Sequence, residues 1–380
     1  LIHKKTSSRI QKLLKTQNET KGENMEIKIN MKNRERIAVA QKLGQPDQVP
    51  IDFSLASQFN YLHGWLGLDG RRFFLDPSYV LDAQLKFINK FQIEGTLGPV
   101  FGLAIDPTYF DAADIIIKED TSPWVNPHLT TVEKLKDYLD NYKEPDPYSA
   151  GNFPLMCNSW AYFKNVLGDL IGAPMGMLGP IDIACSICGS TNFFIFAKTE
   201  QALVHSLLEK ITDFMIKNIT VRDELFKPSN HDFSLYDDYC AFFNREDFKE
   251  MAFPYIKKVW DAYTDKDSIR QFHSDSPLDH VVDLLPEMGV NVLLMFDPKN
   301  DIGFFKEKIG DRVCLKGNIN PLKFMRFGTP ETVKAEVKRQ LEAAMKGGGY
   351  IISTGGEMGD GTPDENIYAV IEAVEEYGKY

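Results

Sequence analysis

From Asn33 onward, short apolar runs alternate with helical periodicities. "NRERIAVAQKLG" predicts a helix ending near Gly44. "QVPIDFSLA" predicts a strand entered at Pro50, and a helix follows at about 77–91. "EGTLGPVFGLA" reads as a second strand, and "AADIIIKED" with "SPWVNP" as a hairpin inserted after it. Farther on the alternation is more regular. "PMGMLGPID" predicts a strand ending at Asp182. A long helix capped by Thr199 places Leu203, Leu207, Ile211 and Met215 on one face. "DFSLYDD" is a strand closing on Asp237 and Asp238, followed by a helix over 245–263. "IRQFHSD" is a strand leading to a helix over 277–288, and "VNVLLMFDP" a strand ending at Asp297. "VCLKGNIN" is a strand reaching Asn318 and Asn320. "TPETVKAEVKRQLEAAMKGGG" is a helix with Thr329 as cap, Pro330 at its first position and glycines at its end. "YIISTGGE" is the last strand, and Thr362 with Glu365 spells a capping box for the last helix.

The strands number eight, each followed by helical pattern. Strands that alternate with helices pair in parallel. Eight such units predict a (β/α)8 TIM barrel, an α/β fold of about 250 residues plus insertions. A doubly wound open sheet would need a Gly-rich phosphate turn after its first strand; "DFSLAS" has none.

The barrel frame gives the polar residues a place. Asp52, Asp182, Asp237, Asp238, His273, Asp275, Asp297, Asn318, Asn320 and Glu357 fall at the carboxyl ends of strands, the rim where barrels build their chemistry. His273 and Asp275 put an imidazole and a carboxylate two residues apart. They suit a metal site, and they equally suit a polar turn in which Asp275 caps the next helix. Asp237 and Asp238 are adjacent and point to opposite sides, so only one faces the rim freely.

Composition narrows the function. The chain has 380 residues, 43% hydrophobic and 26% charged, so a sizeable core is expected. A formal charge of −11 argues against nucleic acid and anionic membrane as partners. The exception in sign is the N-terminal "LIHKKTSSRIQKLLK". Residues 1–32 read as a solvated tail, with residues 1–24 upstream of a natural start at Met25 or Met31, and the barrel domain as 33–380. Five cysteines, irregularly spaced, suit a reducing cytoplasm better than a disulfide framework. No window approaches ~18 consecutive apolar residues.

Several stretches taken in order resemble the uroporphyrinogen decarboxylase family. They are "NRERIAVAQKLGQPDQVPIDF", "GPIDIA", "LYDDYCAFFNREDFKEMAFPYIKKV", "FHSDSPLDHVVDLLPEMGVNVLLMFDP", "GDRVCLKGNINP", "FGTPETVKAEVKRQL" and "GGGYIISTGGEMGDGTPDENIYAVIEAV". The resemblance runs from about Asn33 to Tyr380 and implies a (β/α)8 barrel. It offers two branches, true decarboxylases and corrinoid-dependent methyltransferases. The decarboxylases carry arginines after the first strand to grip an octa-anionic porphyrinogen; this chain has none between Asp52 and Gly64. The thiol-methylating branch is similar to a zinc enzyme with His-x-Cys after the fifth strand and a late Cys. Here His273 matches the His, Asp275 replaces the Cys, and Gly356 stands near the late Cys.

The resemblance therefore implies a site of nitrogen and oxygen donors: His273 with Asp237, Asp238, Asp275 and Glu357 as metal ligands, and zinc as the metal. Such ligands leave zinc a stronger Lewis acid than thiolates do. That suits demethylation of a methyl ether, a methoxylated aromatic above all, with a Co(I) corrinoid as acceptor. His273, Asp238 and Asp275 would act at the reacting centre, and Asp52, Asn318 and Asn320 would contact substrate. The sequence holds no Asp-x-His-x-x-Gly corrinoid signature, so the corrinoid is expected on a partner protein. Pairing into a homodimer is a habit of the family. The alternative is a decarboxylase-like lyase acting on another carboxylated substrate.

Overall fold

In the computed structural model the described residues are 30–294 and 296–380. They form two compact units, one of residues 70–80 and 98–268, the other of 30–69, 81–97 and 269–380.

The larger β-framework belongs to the second unit. Arg270–His273, Val292–Leu294, Cys314–Lys316 and Tyr350–Ile351 lie side by side in parallel, with Phe272 opposite Leu293, Leu293 opposite Leu315, and Tyr350 opposite Leu315. A parallel bridge from Ile51 to Ile352 continues the series to Asp52–Phe53, which pairs in parallel with Glu94–Gly95. Phe272, Leu293, Leu315 and Ile351 are fully buried. Strands covered on both faces read as unbroken apolar runs.

Helices close these strands. Pro330–Ala344 starts as predicted: the Thr329 hydroxyl accepts from Thr332 N, and the reciprocal bond completes a capping box. Its exit uses Gly347, Gly348 and Gly349 at positive φ. Gly348 also meets the Gly44 carbonyl so closely that a Cβ would collide with it. The last helix, Asp364–Tyr377, corrects the expected second capping box. Pro363 holds the cap position, and the Thr362 hydroxyl instead donates to the Gly359 carbonyl, 2.8 Å away. The first helix, Met31–Gln41, has Asn30 as cap and so starts two residues before Asn33. Residues 1–29 of the expected tail lie outside the described residues.

The first unit contributes Gly176–Leu178 and Phe233–Tyr236, paired in parallel. It also holds an antiparallel hairpin, Ala113–Ile116 against Trp124–Pro127, in the chain that follows Glu94–Gly95. The strand expected to reach Asp182 stops at Leu178. Gly179 and Pro180 turn the chain, and Asp182 lies in the first turn of helix Pro180–Cys188. The long helix is Gln201–Phe226, with Leu207, Ile211 and Met215 buried. Thr199 does not cap it; the hydroxyl donates to the Ile195 carbonyl at the end of the preceding helix, and Glu200 takes the cap position.

Beneath this helix lies a buried cation. Arg222 donates to the carbonyls of Pro174 and Gly176 at 3.0 and 2.7 Å, to Asn218 Oδ1 at 2.8 Å and to the Tyr109 hydroxyl at 2.9 Å. It also pairs with Asp106, whose other oxygen accepts from Leu178 N. Helix, loop and strand are thereby tied at one point, and every buried polar group there has a partner.

No single helix among the described residues is long and apolar enough to cross a membrane.

Candidate metal-binding site

In the second unit, Arg270–His273 ends with its imidazole mostly covered: the side chain is 12% exposed. His273 Nδ1 lies 3.1 Å from the Leu294 carbonyl. A carbonyl only accepts, so Nδ1 donates to it, and in a neutral imidazole the ligand nitrogen is then Nε2. A hydrogen bond that fixes the other ring nitrogen is the usual support of a metal-binding histidine. Asp275 Oδ1 is 3.5 Å from Nε2, on a side chain 52% exposed. Two donors at about 2.1 Å from a tetrahedral zinc stand about 3.4 Å apart, so this spacing fits one ion between them.

The polar-turn reading of Asp275 meets a different outcome. After it comes a 3-10 turn, Asp279–Val281, with Leu278 at the cap position and no side-chain cap. Asn300 Oδ1 holds that entry by accepting from Leu278 N at 2.9 Å. The continuous helix expected over 277–288 is replaced by this turn and the short helix Leu284–Met288, which ends at Gly289 with φ +113°.

Glu357 follows the last strand, and its oxygens accept from Asn60 N and Asn60 Nδ2, both at 2.6 Å. It thus satisfies the start of helix Phe59–Leu66, where Gln58 provides no side-chain cap and where a carboxylate suits the helix dipole. Burial pushes its carboxyl up to about 7 against those hydrogen bonds, with nearby Asp275 adding to the rise.

The three side chains expected to meet substrate hold protein groups. Asp52 is buried and pairs with the Lys316 ammonium, which also donates to Ser54 Oγ at 2.9 Å. Asn318 Nδ2 donates to the carbonyls of Asp297 and Asn300. Asn320 Oδ1 accepts from Leu322 N and Lys323 N as the cap of the turn Pro321–Arg326. These bonds account for their polarity without a ligand. Sequence reasoning missed Lys316, although a lysine inside the apolar run "VCLKG" asks for a buried acid.

In the first unit, Asp237 is wholly buried. Its oxygens accept from Ile181 N and Cys240 N, both at 3.1 Å. Asp182 Oδ1 accepts from Tyr239 N at 2.8 Å, and the two carboxyl groups hydrogen-bond each other. Burial, then mutual repulsion among Asp182, Asp237 and Asp238, raises Asp182 well above the carboxylate range. Two buried carboxyls in contact retain a proton between them. Asp238, the next residue, is partly exposed. Asp237 is therefore tied into the fold, and Asp238 is the member of the pair that reaches outward.

Cys157, Cys185, Cys188, Cys240 and Cys314 are all buried free thiols. Burial pushes Cys188 up to about 12, and Cys185 is raised by burial and by the neighbouring acids.

Parallel strands followed by helices, with polar groups at their carboxyl ends, are the parts of a (β/α)8 barrel. The chain belongs to the uroporphyrinogen decarboxylase (URO-D) family, whose model matches residues 33–377. It is 26% identical over 211 residues to a chloroplastic uroporphyrinogen decarboxylase of Zea mays, covering 51% of this chain and 50% of the relative. With the uroporphyrinogen decarboxylase of Crocosphaera subtropica it shares 22% over 321 residues, 79% of this chain and 83% of the relative. The chain thus spans about half the length of the maize protein and most of the cyanobacterial one. Among solved structures, a methyltransferase from Methanosarcina mazei superposes with TM-score 0.69 at 17% identity, covering 91% of this chain and 98% of the neighbour. That likeness establishes the barrel fold.

Proposed function

We propose that this chain is a methyltransferase that moves a methyl group from an oxygen donor, a methoxylated aromatic by preference, to the Co(I) corrinoid of a separate protein. His273 and Asp275 would hold a zinc ion between them, with Asp238, read from the sequence as an acid at the carboxyl end of a strand, as the third ligand. The observation that carries the reading is the fixed tautomer of His273, with Asp275 Oδ1 3.5 Å from Nε2. The donor set is one nitrogen and two carboxylate oxygens, so zinc bound there would supply a Lewis acid strong enough to draw charge from an ether oxygen. His273 would hold its nitrogen in place through Leu294, and Asp275 and Asp238 would set the charge of the site. A Co(I) corrinoid on the partner would serve as the methyl acceptor by supplying the electron pair of the new bond, with the C–O pair left on the leaving oxygen.

Family membership with a barrel shared by a methyltransferase supports the class. The absence of arginine between Asp52 and Gly64 removes the cations that eight porphyrinogen carboxylates would require. The corrinoid partner, a cytoplasmic setting and pairing of two copies belong to the same reading. The test is to mix the zinc-loaded protein with a reduced corrinoid protein and a panel of methyl ethers. Spectral conversion of Co(I) to methyl-Co(III) is expected. No conversion with any donor would sink the proposal.

A decarboxylase-like lyase is the second reading, favoured by the curated relatives described above. It predicts CO2 release from a carboxylated substrate without any corrinoid.

A further inference from the structure

The turn Pro321–Arg326 follows strand Cys314–Lys316 at the end of the sheet where Arg270–His273 delivers His273, because these strands run in parallel. It starts beside the proposed zinc site. A Cβ placed on Gly356 would stand 3.3 Å from Asp275 Oδ1 and 3.8 Å from Pro321 Cγ. The turn is held from beneath. Asn366 Nδ2 donates to the carbonyls of Met325 and Gly328, both at 2.9 Å, Asn320 caps the start, and Met325 is fully buried. Its outer side is apolar and cationic. Leu322 is 51% exposed, and Phe327, directly after the turn, 72%. Between them in the chain stand Lys323 and Arg326. Neighbouring cations are paired: Lys334 with Glu372, Arg339 with Glu336 and Lys90 with Asp364. Lys323 and Arg326 instead lie over the rings of Phe324 and Phe327, at 4.7 and 5.0 Å from their centroids. Neither has an ion-pair partner among the described residues. Asp360, between the two glycines that pack on Arg326, lays its carboxylate on Gly64.

We propose that Leu322, Lys323, Arg326 and Phe327 form the docking face for the corrinoid-carrying partner, which would meet them with an apolar contact ringed by carboxylates. The inference rests on the reading above. Apolar side chains on a held backbone lose little freedom when a partner covers them, and aromatic anchors dominate such contacts. Cations without acidic neighbours speed the encounter with an acidic surface. A second copy of this chain suits the face poorly, because two-fold pairing would bring Lys323 and Arg326 of both copies together. The position suits a carrier. Its cobalt must reach a methyl group held at His273 and Asp275, and Gly356 alone separates Pro321 from Asp275.

Methyl transfer by the zinc-loaded full chain, followed as the change from Co(I) to methyl-Co(III), tests it with two acceptors: a purified corrinoid protein and free cobalamin reduced to Co(I). Phe327→Ser and Lys323→Glu are the variants, both at exposed positions. Phe327→Ser should raise the KM for the corrinoid protein about tenfold or more, and Lys323→Glu several-fold. The kcat at saturation and the rate with free cobalamin should not change. Added salt should raise that KM in wild type, and less so in Lys323→Glu. An unchanged KM in both variants, or rates that fall equally with both acceptors, would overturn the docking face. So would a wild type that methylates free cobalamin but not the corrinoid protein. Transfer to neither acceptor sinks the methyltransferase reading itself, and the face with it. Equilibrium sedimentation covers the other occupant: a wild-type dimer that Phe327→Ser converts to monomer would assign the face to a second copy and overturn the proposal.

Discussion

His273 Nδ1 is held by the Leu294 carbonyl, one strand away, at 3.1 Å. The bond decides which ring nitrogen is basic, and the basic one faces Asp275. His273→Ala should therefore lose stoichiometric zinc, read by elemental analysis, together with any rise in Tm that added zinc gives wild type. Retention of one zinc per chain in that variant would count against the site.

Asp52 and Lys316 form an ion pair with side chains 8% and 3% exposed. Removing one partner leaves a buried uncompensated charge. Lys316→Met should cost about 3–5 kcal/mol in urea unfolding, and Asp52→Leu with Lys316→Met together should recover most of it. Equal losses in the single and double variants would show that the pair is not the origin.

Arg222 binds two carbonyls, Asn218, Tyr109 and Asp106. Arg222→Met strands Asp106, which burial already drives towards its neutral form. A loss on the order of 3–5 kcal/mol is expected, with proteolysis first opening the segments it ties. Lysine at this position offers one point charge in place of a fork and should rescue little.

Acid pH should favour the fold over part of its range. Glu357 and Asp237 are each raised by burial to about 7. The unfolded chain releases these protons near pH 4, whereas the native chain keeps them to about 7. Between those values the unfolded state binds fewer protons, so stability falls as pH rises. Each group contributes a slope of at most about 1.4 kcal/mol for every step of one in pH. Urea midpoints from pH 4 to 8 should show that decline, and Glu357→Gln should flatten it. An unchanged slope in the variant would assign it to other groups.

The barrel was legible because its strands are covered on both faces. Phe272, Leu293 and Leu315 are core neighbours, and each sits in an apolar run too short for a helix. The cap at Thr329 was legible because all its partners are within three residues. Thr199 and Thr362 carry the same local signal and fail, each hydroxyl finding a carbonyl instead. At the expected rim the local partners were not legible. His273 Nδ1 is held by the Leu294 carbonyl, while Asn318 and Asn320 hydrogen-bond neighbouring backbone. Asp52 is decided by a lysine 264 residues away, a separation over which no pattern of spacing operates.

The five enclosed thiols have a practical side. Protonated and out of reach, they should stay silent to a thiol-reactive dye while the protein is folded, since the thiolate is the reacting form. Each becomes available when its surroundings open. Cys157, Cys185, Cys188 and Cys240 lie in one unit and Cys314 in the other. The chain thus carries its own labels for following, unit by unit, which part of the barrel comes apart first.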